Sequence, residues 1–256
     1  MNGRVKGIFW QDIRRSFGNR GFFISISALT ALLLTAIVRN SPLDGTRSSY
    51  FIMMDAYAIS GFAPFAAVFP VLAYASEFCE EYQSGYYRMI FARIGAKRFG
   101  IMRIVSVALS GGVIIAVPIG LVCMVALYCG IPGVPSGSDE GLMAGSAMMR
   151  YVAEYGDWCV VLWKVFLGFL FGCVWALVGF AFAVWLPNRY VALIAPFVLY
   201  EAMWLGLYEV PVLNPVWLIR GDNLNNYPLS AFMEGVYFCI VSVIILAGLN
   251  RRWRNG

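Results

Sequence analysis

The sequence predicts an all-α membrane protein: six transmembrane helices, an interfacial amphipathic helix before the first, and a short cytoplasmic helix between the second and third. Three observations carry this reading. Hydrophobic residues fill 61% of the 256 positions and charged residues only 13%, where a soluble domain carries roughly 25% charge. Six windows are apolar over the ~20 residues that a bilayer crossing requires: approximately 21–39, 51–75, 104–129, 159–186, 190–208 and 229–249. The cations between these windows are sorted strongly by side. No segment reads as a second, soluble core, so residues 1–256 are taken as one domain.

Six spans place both termini on one side. That side collects five cations in the N-terminal segment, five in residues 88–103, Arg189, and three at the C-terminus; the other holds Arg39, Arg47, Arg150 and Arg220. The asymmetry assigns both termini to the cytoplasm of a multi-pass cell-membrane protein. The net charge of +5 is thereby spent on topology. No basic tail or RNA-binding motif accompanies it, which argues against a nucleic-acid partner.

The segment VKGIFWQDIRRSFGNR repeats Val5, Ile8, Phe9, Asp12, Ile13 and Phe17 at helical spacing, as an interfacial helix does. Gly18 to Gly21 favours a break before the first span. That span follows cations as a signal peptide would, but NSPLDG after it offers no small-residue cleavage site, so it reads as retained. Pro64 and Pro70 in the second span, Pro118 in the third and Pro196 in the fifth predict kinks. On the outer side, Leu142, Met149, Val152 and Tyr155 recur at helical spacing and predict a short helix. EVPVLNPVWLIRGDNLNNYP before the last span suits a re-entrant or interfacial segment.

Six cysteines without a CxxC pair and the absence of histidine argue against zinc, haem or histidine-based catalysis, and hence against a metal site. Cys129 and Cys159 flank one outer loop, where either a bridge or two free thiols fits. No GxxxxGK[ST] phosphate loop, HExxH or GxSxG motif occurs. The chain therefore reads as a non-enzyme without a nucleotide site or cofactor of its own.

The densest polar feature is SEFCEEYQSGYYRMIFARIGAKRFGIMRIV, residues 76–105, with three carboxylates and five cations between two apolar runs. Glu77, Glu80, Glu81 and Ser84 share one helical stripe. Arg88, Arg93, Lys97 and Arg98 follow the turn at Gly85, and Arg103 opens the third span. A segment of this kind either lies on the membrane face and offers polar groups to a soluble partner or simply fixes orientation.

These residues resemble the ABC-2 type permeases, the membrane subunits of bacterial ATP-binding cassette exporters. Glu81 matches the family's acidic position, Gly85 its glycine, Ile90 and Phe91 its apolar pair, Lys97 its basic residue and Arg103 the cation opening the third span. Tyr86 stands where the family has Thr, and Ile94 where it has Pro. LNPVWLIRG resembles its Pro and aromatic segment before the last span. The resemblance implies that residues 77–103, including Glu77, Glu80, Arg88, Arg93 and Arg98, form a coupling helix docking on a cytoplasmic ABC ATPase that binds ATP and Mg. It also implies a second permease protomer, identical or related, and an amphiphilic cargo such as a peptide antibiotic, drug or lipid.

Four ionisable residues fall inside predicted spans, where charge is costly and usually faces a bundle interior or watery cavity. Lys164 and Glu201 lie roughly 10 Å from the outer ends of their helices at 1.5 Å per residue. Asp55 and Glu234 are shallower. They suit either an outward vestibule, with Lys164 pairing Glu201, or simple contact of Asp55 and Glu234 with the outer interface. The competing functional class is an ATP-independent, proton-coupled transporter using such carboxylates as a relay.

Overall fold

A computed structural model describes residues 3–40, 48–74, 77–132, 147–221 and 226–255. Among them the chain is helical, with no β-strand and one isolated bridge, Ser48 to Ile131. The elements are α1 Gly3–Gly18, α2 Arg20–Asn40, α3 Ser49–Ile59, α4 Phe62–Phe65, α5 Val68–Tyr74, α6 Glu77–Gln83, α7 Tyr86–Ile94, α8 Ala96–Cys129, α9 Ala147–Tyr155, α10 Asp157–Trp185, α11 Arg189–Gly206, α12 Pro215–Arg220 and α13 Tyr227–Asn255.

Four helices, α2, α8, α10 and α13, are long and apolar enough to cross a membrane, and a fifth crossing results if α3 and the α4–α5 stretch count as one bent span. This falls short of the six expected. The window at 190–208 does form α11, but its 18 residues begin at Arg189 and include Glu201 and Pro196, which leaves it short and comparatively polar. The window at 51–75 is broken by 58° between Ser49–Ile59 and Phe62–Tyr74. Gly61 sits at the break with φ +71°. Tyr200 of α11 donates its hydroxyl to the Ala63 carbonyl at 2.6 Å, a second and shorter bond beside that from the Ala66 amide at 3.4 Å, so this backbone group near the break is well satisfied in apolar surroundings.

The centre of the bundle is the crossing of α8 with α10. Gly111 and Gly172 touch there: a Cβ added to Gly111 would come within 2.6 Å of the Gly172 carbonyl oxygen, and one at Gly112 within 2.6 Å of the Phe169 ring. Small residues permit this backbone approach, which is how membrane helices gain packing energy without a hydrophobic drive. Gly168 and Gly172 form a GxxxG pair on α10, a signal that span counting overlooked. Around the crossing lie Phe171, Trp175 and Tyr200, with the Trp175 and Tyr200 rings 5.1 Å apart.

The segments assigned to one side by charge converge at one end of the bundle. There α1 meets α5, α6 and α8, Arg189 meets Glu80 at 3.1 Å, and Arg252 near the C-terminus donates to the Val184 and Trp185 carbonyls at 2.5 and 3.1 Å. At the opposite end the Ser49 amide donates to the Ile131 carbonyl at 3.1 Å, and Tyr227 stacks on Trp163 at 5.8 Å. The expected outer helix appears as α9, with Val152 buried; Leu142 lies outside the described residues. The LNPVWLIRG segment forms α12, whose N-cap Asn214 accepts from the Val216 amide and donates to the Trp204 and Leu207 carbonyls. Cys129 and Cys159 are free thiols, so the bridged alternative is not the one adopted.

Candidate functional site

The charged island folds as two helices, α6 and α7, joined by Ser84 and Gly85. Gly85 has φ +72°, a left-handed conformation that costs an L side chain roughly 1–2 kcal/mol. Gly95, φ +79°, separates α7 from α8. The turn and the short amphipathic helix through Met89, Ile90 and Phe91 match the expectation. The third long helix begins earlier than expected, at Ala96 in place of 104, so Lys97, Arg98 and Arg103 belong to α8 itself.

Arg103 is 2% exposed. Its guanidinium hydrogen-bonds Asp12 of α1, Glu81 of α6 and the Tyr74 hydroxyl of α5, and lies 4.8 Å over the Tyr74 ring. Asp12 also accepts from the Tyr74 hydroxyl at 2.5 Å and from the Ser106 hydroxyl. Arg15 extends the cluster, bonding Glu81 at 3.0 Å and Glu77 at 3.1 Å. Asn19 joins the Ala73 carbonyl at 2.7 Å to Glu77 at 3.1 Å. A buried guanidinium requires such company, because an unpaired interior charge is strongly destabilising. Burial pushes the Glu77 carboxyl above the ordinary carboxylate value, with Arg15 opposing that shift.

The island thus has two faces. Inward, Glu81 and Phe91 are buried, Phe91 among Tyr87, Phe99 and Trp253, and Ile90 is half-buried beside α1. Glu81 is therefore committed to the fold and cannot offer its carboxylate to a partner. Outward, Tyr86, Met89, Arg93, Lys97 and Arg98 are exposed. Glu80 is exposed and paired with Arg189, and Arg88 donates to the Tyr87 hydroxyl at 3.2 Å. Sequence reasoning missed Asp12 as a partner of Arg103. Its signal was a carboxylate on the apolar face of the N-terminal helix.

Among the described side chains, Lys164, Glu201 and Glu234 are not brought together. Lys164, 1% exposed, donates to the Arg220 carbonyl at 2.6 Å, with its ammonium 5.4 Å from the Tyr57 ring centre and 5.9 Å from that of Tyr227. Glu201 is not joined to it. The preceding residue, Tyr200, faces α10, which turns Glu201 about 100° away around α11. Its Oε1 has no hydrogen-bond partner among the described residues. Glu234 is 1% exposed and both its carboxylate oxygens are likewise unpartnered, so it reaches no outer interface. Asp55 lies in α3, and its side chain is outside the described residues. Comparison with protein-family models, with curated proteins and with solved structures finds no match.

Proposed function

We propose that this chain is the permease subunit of an ATP-driven exporter, moving an amphiphilic substrate out of the cytoplasm or membrane with ATP hydrolysed by a separate cytoplasmic subunit. In this reading α11 completes a six-span bundle, both termini are cytoplasmic, and a second protomer completes the path. One observation carries it. The α6–α7 pair presents an exposed, cationic face while its other face is bound through Glu81 and Arg103 to α1, α5 and α8. A displacement imposed on such an element is passed to three helices at once, as a difference in contact energy between ATPase states requires. The docking surface is Tyr86, Met89, Arg93 and Lys97, with Glu81 and Arg103 as the brace.

The test is affinity purification of the tagged chain in mild detergent, followed by identification of any co-eluting ATPase. Arg93→Glu with Lys97→Glu is expected to remove the ATPase while leaving the chain folded. Failure of any ATPase to co-elute from several detergents would sink the reading.

The orphaned carboxylate of Glu234 favours a second reading, a proton-coupled transporter in which Glu234 and Glu201 carry the proton. It predicts substrate-driven proton movement in proteoliposomes without nucleotide, lost in Glu234→Gln.

A further inference from the structure

Behind α7, at the end of the bundle that holds both termini, a cleft of about 320 Å³, partly open to solvent, is lined by Tyr82, Tyr87, Arg88, Trp185, Arg251 and Arg252 together with Val184 and Gly248. Three arginines from two distant parts of the chain converge there, and among the described residues no carboxylate lines the cleft. None of the three takes part in an ion pair among the described residues, and the neighbouring Glu80 is already joined to Arg189. Arg252 is fixed by the carbonyls of Val184 and Trp185 and lies 4.4 Å over the Tyr82 ring. Arg251 lies 5.8 Å over the Trp185 ring. Arg88 is held at the Tyr87 hydroxyl. The guanidinium groups are positioned by aromatic rings and backbone, which leaves their charge for something else.

The cleft opens beside an apolar surface. Trp185 donates its indole N–H to the Ile244 carbonyl at 3.2 Å, and Ile240, Val243, Ile244 and Leu186 are all exposed. A cationic, aromatic recess directly above an exposed aliphatic helix face matches a molecule with an anionic head and aliphatic tails. We propose that the cleft binds the phosphodiester headgroup of an anionic phospholipid of the cytoplasmic leaflet, its acyl chains lying along Ile240, Val243 and Ile244 of α13. Arginine suits this task because its planar fork meets two phosphate oxygens at once. The inference rests on the membrane reading with this end cytoplasmic and requires no ATPase.

The test uses the purified full chain in neutral detergent, measuring retained lipid by native mass spectrometry and thermal unfolding with added phosphatidylglycerol or phosphatidylcholine. Phosphatidylglycerol is expected to be retained and to raise the melting temperature, and phosphatidylcholine not. At ~1 kcal/mol per juxtamembrane cation, Arg88→Gln with Arg251→Gln should lower phosphatidylglycerol retention roughly thirtyfold. Arg93→Gln with Arg98→Gln, the same loss of charge on the far side of the island, should leave retention unchanged. Should the first pair unfold in phosphatidylcholine, Arg88→Gln alone, at an exposed position, is expected to cost several-fold. Equal retention of the two lipids, equal loss in both double variants, or full reproduction of the effect by millimolar inorganic phosphate or an acidic peptide would overturn the proposal.

Discussion

Arg103 gathers bonds from residues 12, 74 and 81, and its removal takes the counter-charge from Asp12 and leaves the buried Glu81 with Arg15 alone. Arg103→Gln is expected to cost about 3–5 kcal/mol, seen as loss of monodisperse protein and a large fall in melting temperature. Glu77, in the same cluster, should behave oppositely. Its carboxyl is raised by burial, so the folded chain holds that proton more tightly than the unfolded chain. The stability it contributes is fully present below the ordinary carboxylate pKa, roughly 4.3, and is lost as pH rises through the raised folded value. Glu77→Gln should therefore match or exceed the wild-type melting temperature at neutral pH and flatten its dependence on pH in the weakly acidic range. A melting curve series in detergent decides it. The sequence marked both residues as charged and gave neither fate. Glu77 and Glu81 share one helical stripe, and only the arrival of α1 and α8 separates a half-buried side chain from a fully buried one.

At the scale of the helix, the bundle depends on the glycine contact between α8 and α10. Gly172→Val pushes two backbones apart at a place where the nearest atoms are carbonyls and α-carbons that cannot rotate away. A loss of at least about 1–3 kcal/mol is expected, whereas Gly235→Ala, with open space around it on α13, should be nearly silent; thermal unfolding of the two compares them directly. Helix positions were largely legible because apolar length is a property of the local sequence. The break in the second span and the shortness of α11 were less so. A length criterion counts residues 190–208 as one apolar window, while Arg189 at its edge and Pro196 and Glu201 within it decide how much of it can sit in hydrocarbon. The proline kinks signalled the break at 60–61 only loosely, since Gly61 supplies the left-handed turn.

Across the whole molecule, one end carries α1, the α6–α7 pair, Arg189 and the C-terminal arginines. Cysteines placed at Arg93 and Arg254 should be labelled by a membrane-impermeant maleimide from one side of the membrane, and one at Tyr155 from the other, on a background where the exposed Cys239 is replaced. Labelling of Arg93 and Arg254 positions from opposite sides would contradict the shared end. Charge asymmetry made this gathering legible, because cation placement is a sum over loops and survives errors in any one boundary. The Asp12–Arg103 contact was not legible for the same reason inverted: it is one pairing among many of equal local plausibility. That pairing spans 91 residues, which has a consequence for synthesis. With Arg103 made 91 residues after Asp12, the carboxylate waits roughly 5–20 s for it at ribosomal rates of ~5–20 residues per second. Tyr74 is made within that interval, so a neutral hydroxyl reaches Asp12 ahead of the counter-charge, which arrives only with residue 103.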